Sequence, residues 1–196
     1  MKTIIIKYPA GNVQSVLFSL ERIGVEAIVT DSKKSIQNAE KIILPGVGEA
    51  NFAMKYLKEK KLDIILSKLE QPVLGICLGM QLLCKSSEES NTICLGVFDL
   101  LVKKFQSKNI KDKIPQIGWN TIHKLKGPLF ENIPDGSYQY FVHGYYAPLG
   151  KYTIAKTEYI VYYSAAIQKN NFYAVQFHPE KSSYVGHKIL ENFIRL

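Results

Sequence analysis

One of the three cysteines in this 196-residue chain is set apart from the others by its neighbours. Cys77 lies in "PVLGICLGMQLL", with Gly75 and Gly79 two residues to either side, where an apolar run gives way to a helical pattern. This is the glycine-x-nucleophile-x-glycine arrangement of a strand-to-helix elbow. Strand and helix pass so close in such a turn that a Cβ at the flanking positions would clash. The turn lifts the sulfur out at the carboxyl edge of a sheet. The backbone N–H of Leu78 is expected to stay free and to point at an oxyanion developing on an attacked carbonyl. A small buried cysteine at a glycine-rich strand end is the alternative reading. Cys84 and Cys94 lack the flanking glycines and read as core residues.

A thiol that attacks an amide needs a base to take its proton and return it. The histidines are His123, His143, His178 and His187. His178 ends the apolar run "FYAVQF", and open α/β sheets gather their sites at the carboxyl ends of strands. Glu180, two residues on, would orient the imidazole and stabilise its charged form. His143, in "YFVHGYY", is the rival base; it also follows an apolar strand but has no carboxylate near it in sequence. His123 and His187 read as surface residues. About a hundred residues separate Cys77 from His178, so only folding brings them together.

A second glycine turn, "LPGVGEAN", carries Gly46, Val47 and Gly48. Its glycines permit close backbone approach or positive φ. It lacks the third glycine of a dinucleotide loop and the lysine of a phosphate loop. Beside a cysteine nucleophile, its N–H groups suit the second half of an oxyanion hole.

These residues need a scaffold, and the first half of the chain supplies strand–helix alternation. The apolar run 3–7 reads as a strand buried on both faces, and 25–30, 41–45 and 72–76 read as further strands. Val13, Val16, Leu17, Leu20 and Ile23 form one helical stripe that Gly24 stops. Residues 52–69 read as helix in two pieces, and 78–86 as a further helix. The second half is aromatic and β-branched with short turns, which predicts antiparallel additions. Val185, Ile189, Phe193 and Leu196 predict a closing helix. The expected fold is one α/β domain over 1–196: an open, mixed, largely parallel sheet in three layers with flanking helices.

Composition sets further bounds. Hydrophobic residues at 46% and charged residues at 21% are ordinary for a globular chain. No apolar run approaches the roughly 18 residues of a membrane span, and the N-terminus turns polar too soon for a signal peptide. An odd cysteine count without a C-x-x-C pair predicts a reducing cytoplasm, with no disulfide framework and no cysteine metal site. The net charge of +8 comes from scattered lysines without an arginine cluster or a nucleic-acid motif. It reads as a soluble surface or as a face for an acidic protein partner. No cofactor is called for.

Taken in order, "PGVGEA", "GICLGMQLL" and "FHPEKS" resemble the oxyanion turn, nucleophile elbow and His-x-Glu segment of the class I (triad) glutamine amidotransferases. The resemblance runs over essentially the whole chain. "IPQIGWN", "YFVHGYY", the "GN" at 11–12 and "FHPEKSSYVGHKILENF" narrow it to the glutaminase subunits of imidazole glycerol phosphate synthases. The resemblance implies that Cys77 attacks the side-chain amide of L-glutamine, with His178 as proton shuttle and Glu180 as its orienter. It places Leu78 and Gly46–Gly48 at the oxyanion. It gives Gln81 to glutamine binding and His143, Gly144 and Tyr145 to the substrate pocket. Gly144 stands where the family commonly has a small hydroxyl residue. It implies a heterodimer with a separate (β/α)₈ synthase subunit, which takes ammonia through its barrel to cleave a phosphoribulosyl substrate in histidine biosynthesis. Asn12, Trp119, Tyr140 and Lys181 match interface and gate positions. The "KYPAGN" start departs from the family's usual versions of that loop. Other readings are a paralogous glutaminase feeding a sugar-amidating synthase and a non-catalytic elbow-cysteine protein of similar fold.

Overall fold

The computed structural model describes residues 2–9 and 12–196; Ala10 and Gly11, which include the glycine of the "GN" segment, lie outside the described residues. The alternation read from the first half is present in order. It comprises β1 (Thr3–Ile6), α1 (Val13–Arg22), β2 (Ala27–Thr30), α2 (Lys33–Gln37), β3 (Lys41–Leu44), α3 (Ala50–Glu59), α4 (Asp63–Leu66), β4 (Val73–Ile76) and α5 (Leu78–Leu83). The helical stretch predicted over 52–69 is indeed two helices, α3 and α4.

The helix predicted over 78–86 stops short. After α5 the chain turns extended at Cys84 (ψ 173°), and Cys84–Ser87 forms β5. Two serines are weak helix formers, and here the backbone pairs with a later strand, so sheet pairing overrides the local preference. There follow β6 (Thr92–Ile93), β7 (Phe98–Lys104), β8 (Gln116–Thr121), β9 (Tyr138–His143), β10 (Tyr145–Tyr146), β11 (Thr153–Tyr159), β12 (Val161–Lys169), β13 (Phe172–Val175) and α6 (Ser183–Arg195).

The central sheet has seven strands in the order β11-β12-β13-β4-β3-β1-β2. From β13 to β2 all neighbours are parallel, while β12 runs antiparallel to β13 and β11 antiparallel to β12. Its side chains alternate between faces, as the pleat requires. Ile4, Ile6, Ile42 and Leu44 pack with Ile36 of α2, Met54 and Leu57 of α3 and Leu82 and Leu83 of α5. Ile5, Ile43, Leu74 and Ile76 pack with Val16 and Leu20 of α1 and with Ile189, Leu190 and Phe193 of α6. This is the expected three-layer architecture. The antiparallel additions are a four-stranded sheet, β10-β7-β5-β6, and the ribbon β8-β9. No helix among the described residues is long and apolar enough to cross a membrane.

Two features position the site. A Cβ on Gly79 would stand 1.8 Å from the Leu44 carbonyl oxygen, so α5 rests on β3 at a distance only glycine permits. And β13 pairs directly with β4, Val175 opposite Ile76. The segments that follow these two strands carry His178 and Cys77, so adjacency in the sheet closes the gap in sequence.

Candidate active site

Cys77 follows the last residue of β4 and donates its backbone N–H to the Val175 carbonyl at 2.8 Å. Its backbone sits at φ 54°, ψ −110°, a region that L-residues avoid unless their surroundings impose it. This is the sharp elbow that the flanking glycines predicted. The sulfur lies 3.6 Å from the Val142 carbonyl, to which a thiol donates, and 3.7 Å from Nε2 of Gln176. His178 is buried beside it, and the ring hydrogen-bonds Cys77. On its other side, His178 Nδ1 meets Glu180 Oε1 at 2.8 Å, with both side chains almost wholly buried.

Burial alone would drive the His178 imidazole toward its neutral form. The Cys77 thiolate, its hydrogen bond to the ring and the Glu180 carboxylate outweigh that, and hold the imidazole's pKa above its ordinary value. A ring in this position takes a proton from the sulfur and hands it to a leaving group.

His143 is placed differently. Nδ1 donates to the Tyr145 carbonyl at 2.7 Å, and Nε2 faces the Tyr163 hydroxyl at 3.1 Å. Burial pushes its pKa down to about 4; the Tyr145 carbonyl opposes that and the nearby His178 charge adds to it. A neutral imidazole with both nitrogens engaged builds a wall and makes a poor base.

A cavity of about 140 Å³ opens in front of the sulfur. It brings together Val47 and Gly48 of the turn, Leu78 and Gln81 of α5, and His143, Gly144 and Tyr145 at the end of the ribbon. Gln81 donates to the Tyr145 carbonyl at 3.1 Å and to Oε1 of Gln176 at 3.0 Å. Glu89 also lines this cavity, and the sequence reading missed it. One of its carboxylate oxygens accepts the Ala50 N–H at 2.7 Å. Burial raises its pKa, the Ala50 N–H acts against this, and Glu49 reinforces it. Glu89 sits in the acidic run "SSEES", where nothing in the pattern separates it from a surface acid. A larger cavity, about 630 Å³, lies beside Asn120, His123 and Lys156 but contains none of the predicted site residues.

The oxyanion expectation needs correction. The Leu78 N–H is not free: it donates to the Gly46 carbonyl at 3.3 Å. The turn offers a carbonyl where N–H groups were predicted. A buried N–H without an acceptor is costly, and Gly46 supplies the acceptor. A Cβ on Gly46 would lie 2.4 Å from the Tyr8 hydroxyl and 2.8 Å from the Leu78 Cβ, so only glycine fits there. The Tyr8 hydroxyl itself donates to the Pro45 carbonyl and anchors the turn.

The four positions matched to an interface gather behind the carboxylate–imidazole pair. Asn12 Nδ2 donates to Glu180 Oε1 at 2.5 Å, a contact that sequence reasoning did not anticipate. The Tyr140 carbonyl accepts the His178 N–H at 2.8 Å, and its N–H donates to Ser182 Oγ at 2.9 Å. Trp119 and Tyr140 are cross-strand partners, their rings 5.8 Å apart at 72°. Lys181 is exposed. Ile117, Trp119 and Tyr138 stand 53–65% exposed on the same face of the ribbon as Tyr140.

Comparison with known proteins agrees with this geometry. Residues 4–196 match the family described as "Glutamine amidotransferase class-I". The chain is 52% identical over 196 residues, all of both chains, to "Imidazole glycerol phosphate synthase subunit HisH" of Bacteroides fragilis. It is 47% identical over 204 aligned residues, 99% of this chain and 90% of the other, to the protein of the same name in Shewanella loihica. A solved structure titled as a glutamine amidotransferase superposes with a TM-score of 0.76 over 98% of this chain and 97% of its own, at 18% identity, which speaks for the fold. With its elbow cysteine, its buried imidazole–carboxylate pair and this match along nearly its full length, the chain belongs to the class I glutamine amidotransferases.

Proposed function

We propose that this chain is the glutaminase subunit of an imidazole glycerol phosphate synthase. In this reading it works in the cytoplasm and passes ammonia to a (β/α)₈ subunit that makes imidazole glycerol phosphate and AICAR in histidine biosynthesis. The observation that carries it is the line from Cys77 through His178 to Glu180, with the sulfur opening onto the cavity that Gln81 borders. Two relatives that carry the synthase-subunit name, at about half identity along the chain, support the acceptor.

The steps follow from the geometry. The Cys77 thiolate attacks the carboxamide carbon of glutamine, and the C=O electron pair moves onto oxygen. Collapse breaks the C–N bond while the His178 imidazolium protonates the departing nitrogen, so ammonia leaves and a glutamyl thioester remains. His178, now neutral, takes a proton from water as it attacks the thioester. Collapse of that adduct releases glutamate and returns the sulfur and the imidazolium to their starting forms. Glu180 holds the ring throughout. His178→Ala is expected to lower glutamate release by about 10²–10⁴-fold, the usual worth of a general base, with a smaller loss for Glu180→Gln and a smaller one again for His143→Gln. Steady-state assay of the three variants checks the order, and a mild His178→Ala beside a severe His143→Gln would reverse the assignment.

Glutamine carries an α-ammonium, and Glu89 is the acid at the cavity. Glu89→Ala is expected to raise the KM for glutamine about tenfold or more with kcat little changed, since a hydrogen bond to a charged group is worth roughly 1.5–3 kcal/mol. Initial rates over a range of glutamine concentrations measure it.

The apolar ribbon face, with Asn12 and Lys181 beside it, supports a docking site for the barrel subunit on the side of the triad away from the glutamine cavity. Ammonia handed across there would stay dry and unprotonated. The reading is tested with a diazo-ketone analogue of glutamine. It is expected to stop glutamate release and to label Cys77. Cys84 and Cys94 should be spared, because burial raises both thiols, Cys94 to about 12. In the case of Cys94, Lys58 opposes the rise and Glu89 adds to it. Label on Cys84 with Cys77 untouched would overturn the reading.

A further inference from the structure

The hydrogen bonds around the sulfur can be followed back to a group whose polarity is beyond doubt. The Tyr145 carbonyl is an acceptor only. The Gln81 carboxamide beside it, at 3.1 Å, must therefore present its NH₂. The second proton of that NH₂ goes to the other group within reach, the side-chain amide of Gln176 at 3.0 Å, which must answer with its carbonyl oxygen. Gln176 is then left with its NH₂ toward Cys77 Sγ, 3.7 Å away. Each amide orientation is forced by the one before it, so no choice of flip remains. Gln176 is fully buried, and its own N–H is held by the Ala165 carbonyl at 2.8 Å. It precedes His178 by two residues across the bend that follows β13, and both side chains reach the same sulfur.

We propose that Gln176 is a further catalytic residue: its carboxamide NH₂ donates to the Cys77 sulfur while its carbonyl oxygen fixes Gln81. The inference rests on the reading of Cys77 as nucleophile and assigns work that His178 and Glu180 do not perform. A thiol donates to the Val142 carbonyl. A thiolate cannot, and it gains the Gln176 amide together with the His178 ring as donors. The relay also spends both protons of Gln81. Its carbonyl oxygen is then the polar atom that it offers the cavity, an acceptor suited to the carboxamide NH₂ or the ammonium of glutamine. One buried amide thus ties the charge on the nucleophile to the orientation of a substrate-binding side chain.

The test uses the chain in complex with its barrel subunit and three variants: Gln176→Met, Gln176→Glu and Gln81→Met. Thermal unfolding establishes that each is folded. Two readouts follow: steady-state glutaminase kinetics, and the rate at which iodoacetamide, a probe too small to need the glutamine contacts, alkylates Cys77. Gln176→Met should lose both donor and acceptor, with kcat falling about 10–100-fold, the worth of a hydrogen bond to a charged group, and KM rising with it. Gln176→Glu keeps an oxygen for Gln81 but sets a carboxylate against the sulfur. Its kcat should fall at least as far, with KM near that of the parent. Gln81→Met should slow alkylation of Cys77 although the probe does not need the glutamine contacts, because the amide relay is broken. A folded Gln176→Met with parental kinetics and alkylation overturns the inference, as does an unchanged alkylation rate in Gln81→Met. If the parent Cys77 takes no label at all, the glutaminase reading fails instead, whatever the Gln176 variants do.

Discussion

Cys77→Ser is expected to reduce glutamine-dependent turnover by about 10⁵-fold or more, the scale at which a triad that acts as a unit fails when its nucleophile is removed. A hydroxyl is far harder to ionise than a thiol, so an imidazole placed to take the sulfur's proton gains little from an oxygen in the same position. The change removes nothing on which the fold depends. Serine is close in size, the elbow at φ 54° is enforced by its neighbours, and the N–H of residue 77 keeps its bond to the Val175 carbonyl. Synthesis by the proposed barrel subunit supplied with free ammonia is therefore expected to continue at the parental rate. Parallel assays with glutamine and with an ammonium salt separate the two outcomes. Loss of both activities would mean that Cys77 serves the assembly and not the chemistry.

Docking of the proposed barrel subunit, with its acceptor bound, is expected to raise glutamate release from the isolated chain by at least about 10³-fold, since an oxyanion donor is commonly worth about 10²–10³. The reason is the bond between the Leu78 N–H and the Gly46 carbonyl. Rotation of the Gly46–Val47 peptide would withdraw that carbonyl, free the Leu78 N–H and turn the Val47 N–H toward the same space. Such a flip moves the φ of Val47 toward positive values, which a β-branched residue resists. Val47 is absent from the described residues with positive φ, so the structure holds the unflipped form. A partner that favours the flipped form shifts the population, whereas a ligand indifferent to it shifts nothing. Val47→Gly removes the resistance and is expected to raise basal release by the isolated chain. Gly48→Pro, which deletes an N–H, is expected to lower the rate of the complex. Glutamate release is measured for the isolated chain, the complex, and the complex with an acceptor analogue. Equal rates in all three would dispose of the switch.

The parts of this site that were legible in the sequence are those whose physical demand leaves a mark on residue type. Close packing of α5 on β3 admits no Cβ at 79, and the glycine there announces the elbow. A carboxylate two residues from a strand-end histidine announces an oriented base. The parallel sheet was legible because strands alternate with helical stripes, and because β1, buried on both faces, reads as a continuous apolar run. A peptide's orientation leaves no such mark. "PGVG" spells the same turn whether it presents a carbonyl or an N–H, so the engaged Leu78 N–H could not be read. Gln176 and Glu89 are likewise ordinary residues in ordinary company, one in an apolar strand end and one in an acidic run. Their roles come from what the fold sets opposite them. Asn12 lies 168 residues from Glu180, and no local pattern encodes the bond between them. The end of α5 was misread for a related reason: the strand that claims Cys84–Ser87 begins at Phe98, and pairing partners are not written into a segment's own residues.

Cleavage of glutamine through a covalent bond to Cys77 leaves an intermediate that can be trapped. The most direct test is to mix the complex with glutamine labelled in its carbon chain, quench with acid within the first turnovers and map the protein-bound label. Label is expected on the peptide that contains Cys77, released by hydroxylamine as a thioester should be, and absent from Cys77→Ala. Glutamate produced at the normal rate with no label on the protein, or with the label on Cys84 or Cys94, would contradict it.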